Sequence, residues 1–199
     1  MILNLCCIIE GHGEEQAVPV LVRRIQQTLR EDIQLEFQRL RVPRHRMVKP
    51  RELERAVELA ARLAIPPRAI LVLVDADDDP PCILGPELLK RAKAARPDVP
   101  VAVVLANREF ETWFLAAIES LCGHRRLPAD LHPIPDVESI RDAKGKLTNL
   151  MRGAGVYSPT PDQPALAATF DMNLARKRSD SFDKCWREVE RLLAEAVGS

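Results

Sequence analysis

The chain reads as an α/β protein, with a mainly parallel four-stranded sheet flanked by helices and a helical C-terminal extension. Three observations predict this. Apolar runs at Ile2 to Ile9, Ile33 to Val42, Ala69 to Val74 and Val99 to Ala106 alternate with amphipathic stretches, the sequence sign of βα repeats and a parallel sheet covered on both faces. With 199 residues and 46% hydrophobic content, the chain can bury one substantial core. Beyond Cys122 the strand signals stop and helical patterning takes over. The expected division is an α/β domain over 1–122 and a helical extension packed on it over 123–199.

After the first strand, Val18, Leu21, Val22, Ile25 and Leu29 follow helical spacing over about Glu15 to Arg30. Pro19 falls in the first turns of that helix, where proline is best tolerated. In the second run Ile33, Leu35 and Phe37 alternate with Gln34, Glu36 and Gln38, which predicts a half-exposed strand toward a sheet edge. From Pro50, a stripe of Leu53, Val57, Ala60, Ala61 and Ala64 predicts a helix that ends at Pro66-Pro67. Ala69 to Val74 is the most apolar run and is placed at the sheet centre. Pro80-Pro81 and Gly85-Pro86 then read as a rigid connection to a helix near Glu87 to Ala95.

After the fourth strand, Asn107 is expected to cap a helix whose apolar face is Phe110, Trp113, Phe114, Ala117, Ile118 and Leu121. That spacing makes Trp113 a core residue and not a ligand platform. Pro128, Pro133 and Pro135 interrupt an irregular segment. Helices are expected near Val137 to Met151, Gln163 to Arg176 and Ser181 to Val197, with Pro159, Pro161 and Pro164 marking a loop.

Composition excludes several classes. Lys plus Arg equals Asp plus Glu, 29 against 29, so no global field draws the chain to nucleic acid. The distribution is uneven, however. Arg39, Arg41, Arg44, His45, Arg46, Lys49 and Arg51 lie in a stretch without an acid, either a phosphate-holding loop or a solvated basic one. No run approaches the ~20 apolar residues of a membrane span, and the N-terminal run reads as a core strand, which predicts a cytoplasmic protein without a membrane partner. Cys6, Cys7, Cys82, Cys122 and Cys185 lack zinc or disulfide spacing and are expected to be reduced thiols, Cys6 and Cys7 as core packing.

The chemistry-bearing residues are acids at strand ends. Glu10 closes the first strand, Asp75-Ala76-Asp77 the third, and Glu109 and Glu111 follow the fourth. In a parallel sheet these ends share one edge and one crevice. Two carboxylates about 4 Å apart repel by roughly 4 kcal/mol at an effective dielectric near 20, so protons or a divalent cation must compensate. Mg²⁺, or Mn²⁺, suits an all-oxygen set. Asp75 and Asp77, one residue apart, share a face of an extended backbone and read as paired metal ligands. Asp78 and Asp79 read as turn-forming bystanders. Glu109 and Glu111 either complete the site or stabilise a helix N-terminus. In Glu10-Gly11-His12-Gly13-Glu14 the glycines permit a tight turn that returns Glu14 toward Glu10. Neither a dinucleotide fingerprint nor a P-loop lysine is present.

Glu10 after strand one and Asp75-x-Asp77 after strand three resemble the TOPRIM domain of topoisomerases, primases and overcoming-lysogenization-defect nucleases. Glu10-Gly-His-Gly-Glu14, Val-Asp75-Ala-Asp77-Asp78 and Arg108-Glu109-Phe110-Glu111-Thr112-Trp113 together resemble a bacterial TOPRIM-like family of unassigned function, often encoded beside ATPases. The likeness extends to Asp142-Ala-Lys144-Gly-Lys146-Leu147 and Ser179-Asp-Ser181-Phe182. It implies a Rossmann-like sheet, Glu10 as general acid/base or metal ligand, Glu14 as the second glutamate, Asp75 and Asp77 holding Mg²⁺, and Glu109 or Glu111 as a further acid. Lys144 or Lys146 would neutralise a scissile phosphate, unless both lie on a solvated helix face.

The expected function is a Mg²⁺-dependent phosphodiester hydrolase acting on DNA or RNA, in a defence system with a separate ATPase as partner. The alternative is a non-catalytic TOPRIM-like module that binds metal or nucleic acid. A haloacid-dehalogenase-type phosphatase fits less well, because its Asp-x-Asp follows the first strand of the domain. Tyr157, the only tyrosine, gives no reason to expect strand passage.

Overall fold

The structure, a computed structural model, describes residues 1–197. Its elements run β1 (Ile2–Ile9), α1 (Glu14–Leu29), β2 (Gln34–Arg41), α2 (Arg44–Met47), α3 (Glu52–Leu63), β3 (Arg68–Asp75), α4 (Pro81–Ala95) and β4 (Val101–Ala106). There follow α5 (Thr112–Ala116), α6 (Ala143–Leu150), α7 (Pro159–Ala167), α8 (Met172–Arg178) and α9 (Asp180–Val197), with 3₁₀ turns at Ile118–Leu121 and Val137–Ser139. The strands form one wholly parallel sheet in the order β2-β1-β3-β4. The alternating strand β2 lies at an edge and the apolar β1 and β3 fill the interior. The fold is α/β, with helices on both faces of the sheet and a helical C-terminal region.

Successive strand residues point to opposite faces, and the pleat sorts the core in two. Leu3, Leu5, Cys7 and Ile9 of β1 join Ala69, Leu71 and Leu73 of β3 under α1 and α9. Cys6 and Ile8 join Ile70, Val72 and Val74 under α3 and α4. Asp75 continues the first series, so its side chain leaves the sheet on the α1 and α9 face. The C-terminal region shares that face: Phe170, Phe182 and Trp186 belong to the same buried cluster as Leu3 and Ile9. Trp113 is fully buried. Its indole N–H donates to Ser181 Oγ at 2.9 Å, which satisfies the one polar atom that burial would otherwise strand.

Five local expectations are corrected. The helix before β4 begins at Pro81 and not near Glu87, because Pro81 occupies the first helical position, where its missing N–H costs nothing. Asn107 does not cap a helix; its amide donates to Glu138 Oε2 at 3.0 Å and α5 starts five residues later. The long apolar face after β4 breaks into α5 and a 3₁₀ turn at Ala117, whose φ of −126° departs from helix geometry. In the tail, the helix foreseen from Val137 reduces to a 3₁₀ turn and α6, and the one foreseen from Gln163 divides into α7 and α8, the latter capped by the Asp171 side chain. All five cysteines are free thiols, three of them buried.

Candidate functional site

Parallel pairing brings the ends of β1, β3 and β4 to one edge, and the acids that follow them converge there. Asp75 Oδ1 accepts the Phe110 N–H at 2.7 Å, tying the end of β3 to the segment after β4. Glu111 is fully buried. Its Oε1 accepts from the Tyr157 hydroxyl at 2.9 Å and from Gln163 Nε2 at 3.1 Å. Glu14 Oε2 accepts the amides of Glu10 at 2.8 Å and Gly11 at 3.3 Å, so Glu14 does fold back on Glu10, through its backbone. Glu10, Glu14, Asp75, Lys144 and Gln163 line a pocket of about 310 Å³.

Lys144 stands at the centre. Its Nζ lies 3.2 Å from Glu109 Oε1, 3.4 Å from Glu111 Oε2 and 3.6 Å from Asp75 Oδ2. It is delivered by the first turn of α6, whose N-cap Asp142 accepts the Gly145 N–H at 2.8 Å. The Lys144 amide also donates to Glu109 Oε2 at 3.1 Å. Gly13 closes the site from the other side. A Cβ there would sit 2.8 Å from the Pro159 carbonyl oxygen, and closer still to Gln163 Oε1, so only glycine lets the β1–α1 turn meet α7.

Five carboxylates face one ammonium, and the protonation equilibria record the deficit. Burial pushes the Glu14 carboxyl up to about 7 against the opposing pull of the two amides it accepts. Burial and the neighbouring Glu14 raise Asp75 well above the usual range. Burial raises Glu111, and burial with Asp77 raises Glu10. Burial alone would lower the Lys144 pKa, but Glu111, Asp75 and Glu109 more than reverse this and hold it above its ordinary value. The shifts agree: one cation is held firmly, yet it cannot neutralise every acid around it.

Within the cluster two buried carboxylate oxygens, Glu10 Oε2 and Glu111 Oε2, have no hydrogen-bond donor; for Glu111 Oε2 the nearby Lys144 supplies charge at 3.4 Å but no aligned N–H. Orphaned oxygens among hard oxygen donors fit a divalent cation in chemistry. Their present spacing is set around the ammonium. Among the described residues no three His, Cys, Asp or Glu side chains stand ready-placed to hold a metal ion.

Asp77 departs from its expected place. β3 ends at Asp75, and Asp77 takes a left-handed φ of 51°, so the extended-backbone argument for a shared face does not apply. Its Oδ2 lies 3.2 Å from Arg44 Nε and its side chain is 57% exposed. Asp78 pairs with Arg108 at 2.6 Å and Arg141 at 3.0 Å, and Asp79 pairs with Arg44. Of the two lysines, Lys144 enters the cluster; Lys146 is exposed and its ammonium has no partner among the described residues. Glu109 and Glu111 both reach the ammonium, ahead of the first turn of α5. Sequence reasoning missed Tyr157 and Gln163, which carry no local motif. It also missed the role of Arg44, whose guanidinium donates to the Asp75 and Ala76 carbonyls at 2.9 and 3.0 Å.

A family described as a domain of unknown function, DUF4276, matches residues 9–190. The chain belongs to that family. Every residue of the acidic cluster, from Glu10 to Gln163, falls inside the matched span of DUF4276. No curated protein and no solved structure matches the chain.

Proposed function

We propose that this chain is a divalent-cation-dependent phosphodiester hydrolase of TOPRIM type acting on nucleic acid. The observation that carries the reading is the excess of carboxylates over ammonium at one sheet edge, with Glu10 Oε2 and Glu111 Oε2 left without donors. Glu10, Asp75 and Glu111 would hold Mg²⁺ or Mn²⁺, with Glu14 and Glu109 beside them. When bound, such a cation stabilises charge on phosphate oxygens and activates water. Glu14, whose carboxyl burial pushes up to about 7 in the cation-free protein and which would ionise as a cation binds, would accept the proton of the attacking water. As the water oxygen bonds to phosphorus the ester P–O bond would break and its leaving oxygen take up a proton from solvent, while the Lys144 ammonium pairs with the phosphate oxygens that gain charge. Asp77, held by Arg44, orders the rim of the site.

A second reading is favoured by one observation: the ammonium already occupies the centre of the cluster, as befits a module that binds without turnover. One experiment separates the two. The purified chain is incubated with labelled duplex and single-stranded DNA and RNA in Mg²⁺ or Mn²⁺, beside Glu10→Ala and Asp75→Ala variants whose folding is checked by circular dichroism. Cleavage by the wild type that both folded variants lose supports the hydrolase. Cation binding by calorimetry with no cleavage of any substrate refutes it in favour of the module, and undiminished cleavage by either variant removes that residue from the machinery. A partner ATPase and a role in defence belong to the same proposal and rest on the TOPRIM resemblance.

A further inference from the structure

We infer that the wall formed by the end of β2, α2 and the loop into α3 is a binding surface for the phosphate backbone of duplex nucleic acid, feeding the acidic site; the inference rests on the proposed hydrolase reading. In a chain of zero net charge, residues 39–51 hold six Lys or Arg and one His without a single acid. Folding strings this charge along one sheet edge, with Arg39 and Arg41 on the face of β2 that carries Leu35, and α2 packed through Met47 on the other face. β2 is an edge strand, and the pairing of Ile9 with Arg41 sets Arg41 beside the end of β1, one residue before Glu10. Arg39 lies on the same face of the strand, and its guanidinium leans on the Glu15 carbonyl in the first turn of α1 at 3.4 Å. Arg44 pins α2 to the acidic turn through the Asp75 and Ala76 carbonyls, so the basic wall and the acidic pocket share a border.

Much of this charge is uncompensated. Arg44 is engaged by Asp77 and Asp79, and Arg46 by Glu52. Arg41, His45, Lys49 and Arg51 are exposed, and their side chains make no ion pair or hydrogen bond among the described residues. A polyanion approaching an excess of carboxylates meets repulsion, and free cations along the neighbouring sheet edge supply the opposing attraction by releasing counterions from the phosphates. The stretch contains no Phe, Tyr or Trp, so it offers no platform for stacking unpaired bases. The contacts therefore go to phosphates, without sequence preference and with duplex favoured over single strands.

The test measures binding of a fluorescein-labelled duplex to the full chain in EDTA, by anisotropy over a salt series. The quadruple variant Arg41→Gln, His45→Gln, Lys49→Gln, Arg51→Gln removes three permanent charges, so the slope of log K against log salt should become shallower by roughly 2.7 at about 0.9 per phosphate contact. A control that neutralises Lys90, Lys93 and Lys177, exposed cations on α4 and α8, should keep the wild-type slope. An unchanged slope in the quadruple variant, an equal change in the control, no duplex binding by the wild type, or tighter binding of the matching single strand each overturns the inference. Cleavage assays on the same proteins keep the two proposals apart. Wall-dependent binding without cleavage in Mg²⁺ or Mn²⁺ sinks the hydrolase and leaves the wall, whereas wild-type binding and cleavage by the quadruple variant sinks the wall alone.

Discussion

Replacing Lys144 with methionine removes the ammonium while keeping a side chain of similar length. Three carboxylate oxygens lie 3.2, 3.4 and 3.6 Å from Nζ. At an effective dielectric near 20 each pair would be worth about 5 kcal/mol. The lysine side chain is 40% exposed, and solvent screening reduces that to about 1 kcal/mol per pair. The freed carboxylates relax further by taking up protons, which brings the net loss of stability to about 2 kcal/mol near pH 8.5, where protons are scarce. Near pH 5 the loss should be smaller, because burial raises Asp75 well above the usual carboxylate range and Glu14 to about 7, so that these two then carry their own protons. Urea denaturation of both proteins in EDTA at the two pH values measures the difference. Adding Mg²⁺ at the higher pH should stabilise Lys144→Met more than the wild type, since the cation no longer competes with the ammonium. An equal loss at both pH values, or no loss at either, would refute the argument that Lys144 is held by ionised carboxylates.

Two further outcomes follow from the same geometry. Gly13→Ala should cost about 1 to 3 kcal/mol, because its Cβ would crowd the Pro159 carbonyl at 2.8 Å, and it should weaken cation binding through Gln163 and Glu111; Gly11→Ala, with nothing nearer than 3.6 Å, should stay within about 0.5 kcal/mol. Thermal and urea unfolding of the pair check this, and equal effects would discount the close approach. The wild type in EDTA should lose stability between about pH 4.5 and pH 7, since in that window folded Glu14 keeps the proton that the unfolded chain releases. The contribution is fully present below the unfolded pKa and reaches up to about 3 kcal/mol at about 1.4 per pKa unit. Divalent-cation affinity should rise over the same window, with protons released on binding; stability that climbs with pH there would contradict the shift.

The strands were legible because their signals are local. The unbroken apolar runs of β1 and β3 and the alternation of β2 reflect burial on two faces or one, and burial is written residue by residue. Glu10, Asp75, Glu109 and Glu111 were legible for a related reason: a parallel sheet puts all strand ends of one kind on one edge, so topology alone brings them near. Asp77 was misplaced because the backbone turns left-handed two residues after Asp75, where distant groups hold it: Arg44 grips the Asp75 and Ala76 carbonyls and the Asp77 N–H donates to the Arg108 carbonyl. Asn107 likewise obeyed a distant carboxylate, Glu138, over its own local capping preference.

By itself, then, the sequence determined the sheet, its edge strand, and the acidic character of one end, since each follows from periodicity or from strand direction. Only the tertiary structure decided that Lys144 and not Lys146 enters the cluster, that Tyr157 and Gln163 hold Glu111, and that Gly13 admits α7. Those contacts join residues about 35 to 150 positions apart. They depend on where α6 and α7 dock, and that is set by the shape of the shared core under α1 and α9, which no short stretch of sequence encodes.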